Sequence, residues 1–184
     1  MGTNATSTSR PPAASRRSPD TPVWPPTAIP RLSHFKTASP AAFQAMLGIE
    51  NHVRSCGLDH ALLELVKTRV SQINGCAFCL DMHTREARAA AETEQRLYLL
   101  PAWRETPLYT ARERAALAWA EAVTQIATNS VTDELYAEVR RHFDEKSLVD
   151  LTLAIIGING WNRLAVPFRI PVGDYQPRGA HAAR

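Results

Sequence analysis

Two cysteines and a histidine in Asn74-Gly75-Cys76-Ala77-Phe78-Cys79-Leu80-Asp81-Met82-His83 have the types and spacing for thiol redox chemistry. If a helix begins near Cys76, then Cys76, Cys79 and His83 stand at i, i+3 and i+7 and share one face. Cys76 would lie at the helix N-terminus, where unpaired N–H groups and the helix dipole stabilise a thiolate. His83 is one turn beyond Cys79, within reach for proton exchange, directly or through a water. Gly75 allows the chain to turn tightly into the helix.

A lowered thiol pKa alone would not make a good peroxidase. Moving a cysteine from about 8.5 to about 6.5 raises its thiolate fraction at neutral pH roughly 25-fold. Nucleophilicity falls roughly 8-fold over the same interval, which leaves a gain of about 3-fold. Placed acids and bases contribute about 10²–10⁴-fold, so the motif needs a proton relay. His83 can supply one role, and a carboxylate near it would complete the relay.

The positioning elements read as helices. Ser39-Pro40 reads as an N-cap followed by a first-turn proline, with Phe43, Met46 and Leu47 at helical spacing after it. Gly57-Leu58-Asp59 marks a break and a new cap. Leu62, Leu65, Val66, Val70 and Ile73 form the next stripe, stopped at Asn74-Gly75. On that helix Glu64 falls on the polar side with Thr68 and Ser71, which by periodicity alone reads as solvated. The motif helix runs to about Ala91. Thr110-Ala111-Arg112-Glu113 is a capping box, and Thr132 caps a helix with Asp133 and Glu134 in its first turn. The last helix, from about Lys146 to Asn162, is apolar on nearly every side, so it is either central to the core or covered by another subunit. No run alternates as a strand would, and the expected fold class is all-α.

The chain has 184 residues, 45 % of them hydrophobic, and three cysteines. An odd cysteine count is no secreted disulfide framework, so a cytoplasmic protein with reduced or cycling thiols is expected. Cys56 stands apart and reads as an inert thiol. No apolar run approaches the roughly 18–20 residues of a membrane span. A net charge of +3, concentrated in the N-terminal arginines, gives no basis for nucleic-acid binding. Residues 1–30 are rich in Pro, Ser and Arg and read as a disordered extension; 31–175 form the domain and 176–184 a flexible tail. His34, His52, His60, His142 and His181 lack partners at informative spacing. Trp103, Trp119 and Trp161 read as core or interface aromatics.

Glu64, then Cys76 and Cys79, then His83 four residues on, resembles the alkylhydroperoxidase D-like (AhpD-like) branch of the carboxymuconolactone decarboxylase family. The likeness continues through Glu92–Leu97, Tyr109–Leu117 and Gly160–Leu164. It implies a multi-helical domain assembled into a symmetric homo-oligomer, often a trimer or hexamer. It also implies peroxiredoxin-type reduction of a hydroperoxide, with no cofactor and no metal, through a sulfenic acid and then a disulfide. By this resemblance Cys79 attacks, Cys76 resolves, and Glu64 with His83 moves protons, which reverses the solvated reading of Glu64. An external dithiol, lipoyl or thioredoxin-like, would recycle the pair. The best-known peroxidases of the group carry a histidine just before the second cysteine, where this chain has Phe78. Two other readings stand beside this one. The first is a lactone-decarboxylating enzyme, which needs no cysteine pair. The second is a redox-sensing or zinc-binding helical protein using Cys76, Cys79, His83 and perhaps Glu64 as ligands.

Overall fold

A computed structural model describes residues 29–177, and within them the chain is all helical, with no strand. The expected N-terminal extension, apart from its last two residues, lies outside the described residues, as does the tail beyond 177. The helices are α1 (Phe35–Ala38), α2 (Pro40–Ser55), α3 (His60–Ile73), α4 (Ala77–Ala89), α5 (Glu94–Leu99), α6 (Ala111–Thr124), α7 (Asp133–Arg140) and α8 (Glu145–Phe168). A 3-10 segment, Leu100–Glu105, continues α5.

Local sequence sets most of these boundaries. Asp59 accepts from the Leu62 N–H at 2.9 Å and opens α3. Thr110 and Glu113 exchange the two bonds of a capping box at the start of α6. Thr132 and Asp144 cap α7 and α8. Ser39 departs from expectation: Pro40 does open α2, but the Ser39 side chain makes no capping bond. Its backbone N–H instead closes α1 on the Phe35 carbonyl, so one residue ends one helix and begins the next.

The centre of the molecule is α3, which packs against α4, α6 and α8. Its Leu62, Val66 and Val70 join Ala116, Trp119 and Ala120 of α6 and Leu151, Ile155 and Ile158 of α8 in the main core. On its other side Leu65 meets Leu97, Leu100, Trp103 and Leu117 in a second cluster. Because α3 is enclosed by three helices, its polar stripe has no route to water. Glu64 is 4 % exposed, and Thr68 and Ser71 are fully buried. The solvated reading of Glu64 is therefore overturned by packing that a single-helix pattern does not contain.

The last helix is longer than expected, 24 residues, and ends past Pro167 at Arg169, whose φ of +53° is left-handed. One face of α8 enters the core, while Val149, Ile156 and Val166 remain exposed. Two glycines let α2 cross α8 closely. A Cβ on Gly157 would lie 3.0 Å from Ile49 Cγ2, and one on Gly160 2.8 Å from Met46 Cε. No helix among the described residues is long and apolar enough to cross a membrane.

Candidate thiol site

The turn from α3 into α4 builds the site. Asn74 closes α3, and Gly75 takes φ +63°, a left-handed conformation that glycine adopts without a Cβ penalty. The Cys76 N–H then bonds the Ser71 carbonyl at 3.0 Å, fixing the direction of the turn. Cys76 occupies the N-cap position itself, and its Sγ accepts the Cys79 N–H at 3.4 Å. A sulfur thus fills the place where serine or aspartate usually stands. Both cysteines are free thiols, 1 % exposed.

The two thiols are electrostatically coupled. The Cys79 side chain, hydrogen-bonded to Cys76, lowers Cys76 to about 7 in spite of its burial; backbone N–H groups of the first helical turn and the Asn162 amide assist. Cys79 is pushed up by the same hydrogen bond, by burial and by the charge on Cys76. One sulfur ionises readily at the helix N-terminus while the other keeps its proton.

His83 and Glu64 meet behind the pair. His83 Nδ1 lies 2.8 Å from Glu64 Oε2, with His83 5 % and Glu64 4 % exposed. Burial would push the Glu64 carboxyl up, but the His83 hydrogen bond and the charges of His83, Lys67 and His60 outweigh it and hold the group below its ordinary range. Glu64 Oε1 faces His60 Nε2 at 3.8 Å and Lys67 Nζ at 4.0 Å. Lys67, itself buried, donates to Glu50 Oε2 at 3.0 Å.

Cys76, Cys79, His83 and Glu64 are therefore all buried where α3 meets α4. Several further residues of the site gave no signal of their own in the sequence. Asn162 of α8, 2 % exposed, donates to Ser71 Oγ at 3.2 Å and accepts from Asn74 at 2.8 Å while touching both thiols. It falls inside the Gly160–Leu164 likeness, which was its only pointer. Glu50 and Lys67 are seventeen residues apart on different helices, beyond any local spacing rule. Thr68 Oγ1, between Glu64 and Ser71 on the α3 stripe, is buried with no hydrogen-bond partner among the described residues. Such an orphan costs about 1–3 kcal/mol.

Phe78 is half-buried and packs on the cluster that contains both sulfurs. Among the described residues no group of three or more His, Cys, Asp and Glu side chains is arranged to hold a metal ion. His52, with no partner at informative spacing, bonds buried Asp150 from 98 residues away at 2.7 Å. This contact joins α2 to α8, and Lys146 bonds the other Asp150 oxygen at 2.7 Å. Cys56 Sγ bonds the Val53 carbonyl at 3.0 Å.

The profile of the carboxymuconolactone decarboxylase family matches residues 40–122, which include α2, α3, the cysteine pair and α4. The chain is 46 % identical over 136 residues to the uncharacterized protein YdfG of Bacillus subtilis, covering 74 % of this chain and 92 % of YdfG. A crystal structure of a protein of unknown function from Agrobacterium tumefaciens, described as a candidate AhpD antioxidant defence protein, is also 46 % identical. It superposes with a TM-score of 0.75 over 79 % of this chain and all of that one. The debrominase Bmp8 shares the fold alone, at 18 % identity and a TM-score of 0.69, over 79 % of this chain and 78 % of its own. With its all-helical AhpD-like fold, the chain belongs to the carboxymuconolactone decarboxylase family.

Proposed function

We propose that this protein is a thiol-dependent hydroperoxide reductase, recycled by an external dithiol. The observation that carries the reading is the Cys76–Cys79 pair at the α4 N-terminus with the buried Glu64–His83 pair on the same helix pairing. In the proposed cycle His83 takes the proton that Cys79 holds at rest, and the thiolate so formed attacks one oxygen of ROOH. The O–O bond breaks, Cys79 becomes the sulfenic acid, and the departing RO⁻ takes a proton from the His83–Glu64 relay to leave as ROH. The Cys76 thiolate then attacks the Cys79 sulfur, hydroxide leaves as water after protonation, and a disulfide forms. A dithiol of the lipoyl or thioredoxin type reduces it by exchange.

The assignment of attacker follows the family resemblance. A second assignment, Cys76 as attacker, is favoured by its lowered pKa at the helix N-terminus. The sulfenic acid separates the two. The Cys76→Ser variant should accumulate a dimedone-trappable sulfenic acid on Cys79 and lose turnover with dithiol, and Cys79→Ser should consume no peroxide. Trapping on Cys76 in the Cys79→Ser variant would transfer the attacking role. Undiminished turnover in both variants would exclude the mechanism altogether.

The proposal extends to assembly and location. The exposed Val149, Ile156 and Val166 of α8 suit a contact between copies, in keeping with a trimer or hexamer. Free thiols suit the cytoplasm. Burial of both sulfurs favours a small hydroperoxide over a bulky one.

A further inference from the structure

The His83–Glu64 pair ends at Glu64, but the buried charges do not. Lys67 is one turn along α3 from Glu64, with its ammonium 4.0 Å from Glu64 Oε1 and 3.0 Å from Glu50 Oε2. The side chains of Glu50, Glu64 and Lys67 are 12 %, 5 % and 6 % exposed. A buried lysine is costly unless paired, and a pair of buried carboxylates is costly without a cation between them. Each charge here is explained by its neighbours. The row runs from α2 through α3 to His83 on α4.

We propose that Glu50 and Lys67 are positioning residues of the thiol site, a charge-balanced pair that holds the relay carboxylate in place and sets the electrostatic potential at the cysteines. Lys67 fixes Glu64 Oε1, so that Oε2 is aimed at His83. Glu50 cancels the lysine's charge, and its own negative charge adds to what pushes the Cys79 thiol up. The other groups facing this charge row are His60 on α3, 3.8 Å from Glu64 Oε1, and His83 on α4, while the uncharged Asn162 of α8 touches the thiols. Glu50 and Lys67 can thus be changed without touching the sulfurs or the imidazole.

The consequence for turnover rests on the thiol-peroxidase reading; the electrostatic consequence does not. Removing one member at a time should move the thiols in opposite directions. Glu50→Gln deletes an anion near Cys79 and favours the thiolate. Lys67→Met leaves Glu50 and Glu64 without their cation and disfavours it. At the dielectric of partly buried sites each shift should be about half a pH unit or more. The double variant should return towards the parent, and Lys67→Arg should stay with it.

The experiment is iodoacetamide alkylation of the reduced full-length protein across pH. It is read on the peptide carrying residues 76 and 79 by mass spectrometry, with helicity checked by circular dichroism. A lower midpoint in Glu50→Gln and a higher one in Lys67→Met are the expected result. Folded variants that leave the midpoint in place, or move it in the same direction, overturn the proposal. If Lys67→Met does not fold, Glu50→Gln and the double variant decide by their difference. Peroxide turnover is measured in parallel, where the pH profile should move with the alkylation midpoint. A parent that consumes no peroxide with any dithiol would sink the peroxidase reading, while the alkylation midpoints would still judge the charge pair.

Discussion

Glu64 and His83, nineteen residues apart on successive helices, meet at 2.8 Å in a setting where neither is more than 5 % exposed. The carboxylate accepts from the ring when Nδ1 carries the proton, which leaves Nε2 to act as the base. His83→Asn keeps a polar group but removes the base, and peroxide turnover should fall on the order of 10²-fold or more. Glu64→Gln should cost less, because the amide oxygen can still accept from Nδ1. A His83→Asn enzyme as fast as the parent would remove the histidine from the mechanism.

How much of this was legible depends on the range over which each contact is made. Cys76, Cys79 and His83 lie within two helical turns, so spacing alone placed them on one face. The caps at Asp59, Thr110 and Thr132 were legible for the same local reason. The orientation of Glu64 was not. Periodicity assumes a helix with one wet side, and α3 has helices around it; only the family likeness pointed inward. Lys67 and Asn162 reach the site through packing across 17 and 88 residues of chain, to Glu50 and Asn74, which no window of sequence contains. The four-residue α1 and six-residue α5 are too short to show a period at all.

Thr68 offers a test of what its hydroxyl is for. Its Oγ1 is buried with no partner among the described residues. Valine has nearly the same shape and no hydroxyl to satisfy. If the group is an uncompensated cost, Thr68→Val should stabilise the protein by about 1 kcal/mol, read as a higher urea midpoint at unchanged slope. A loss of stability would mean that the hydroxyl has a partner in solution.

The crossing of α2 and α8 gives a contrast between two glycines. Alanine gains up to about 1 kcal/mol over glycine within a helix. At Gly160 the new methyl meets the tip of Met46, a flexible side chain that can swing aside. At Gly157 it meets Cγ2 of Ile49, held by a stiff χ1. Gly160→Ala should therefore be the more stable of the two in urea denaturation. The reverse order would show that Met46, not Ile49, is the fixed element of this contact.

Acid should weaken the fold partly through Glu64. Its carboxyl is held below the ordinary value of 4.5 in the folded protein, whereas the unfolded chain recovers that value. Above both values the group is ionised in either state and its full contribution is present. As pH falls below 4.5 the unfolded chain binds the proton first, so stability declines until the folded carboxyl is protonated as well. Glu113, Glu121 and Asp150 are displaced the same way and add to the slope. Glu64→Gln removes one titrating group, so its stability against pH should fall less steeply below 4.5 than that of the parent, even if it starts lower. Parallel curves for the two proteins would mean that Glu64 is not held ionised by His83, Lys67 and His60.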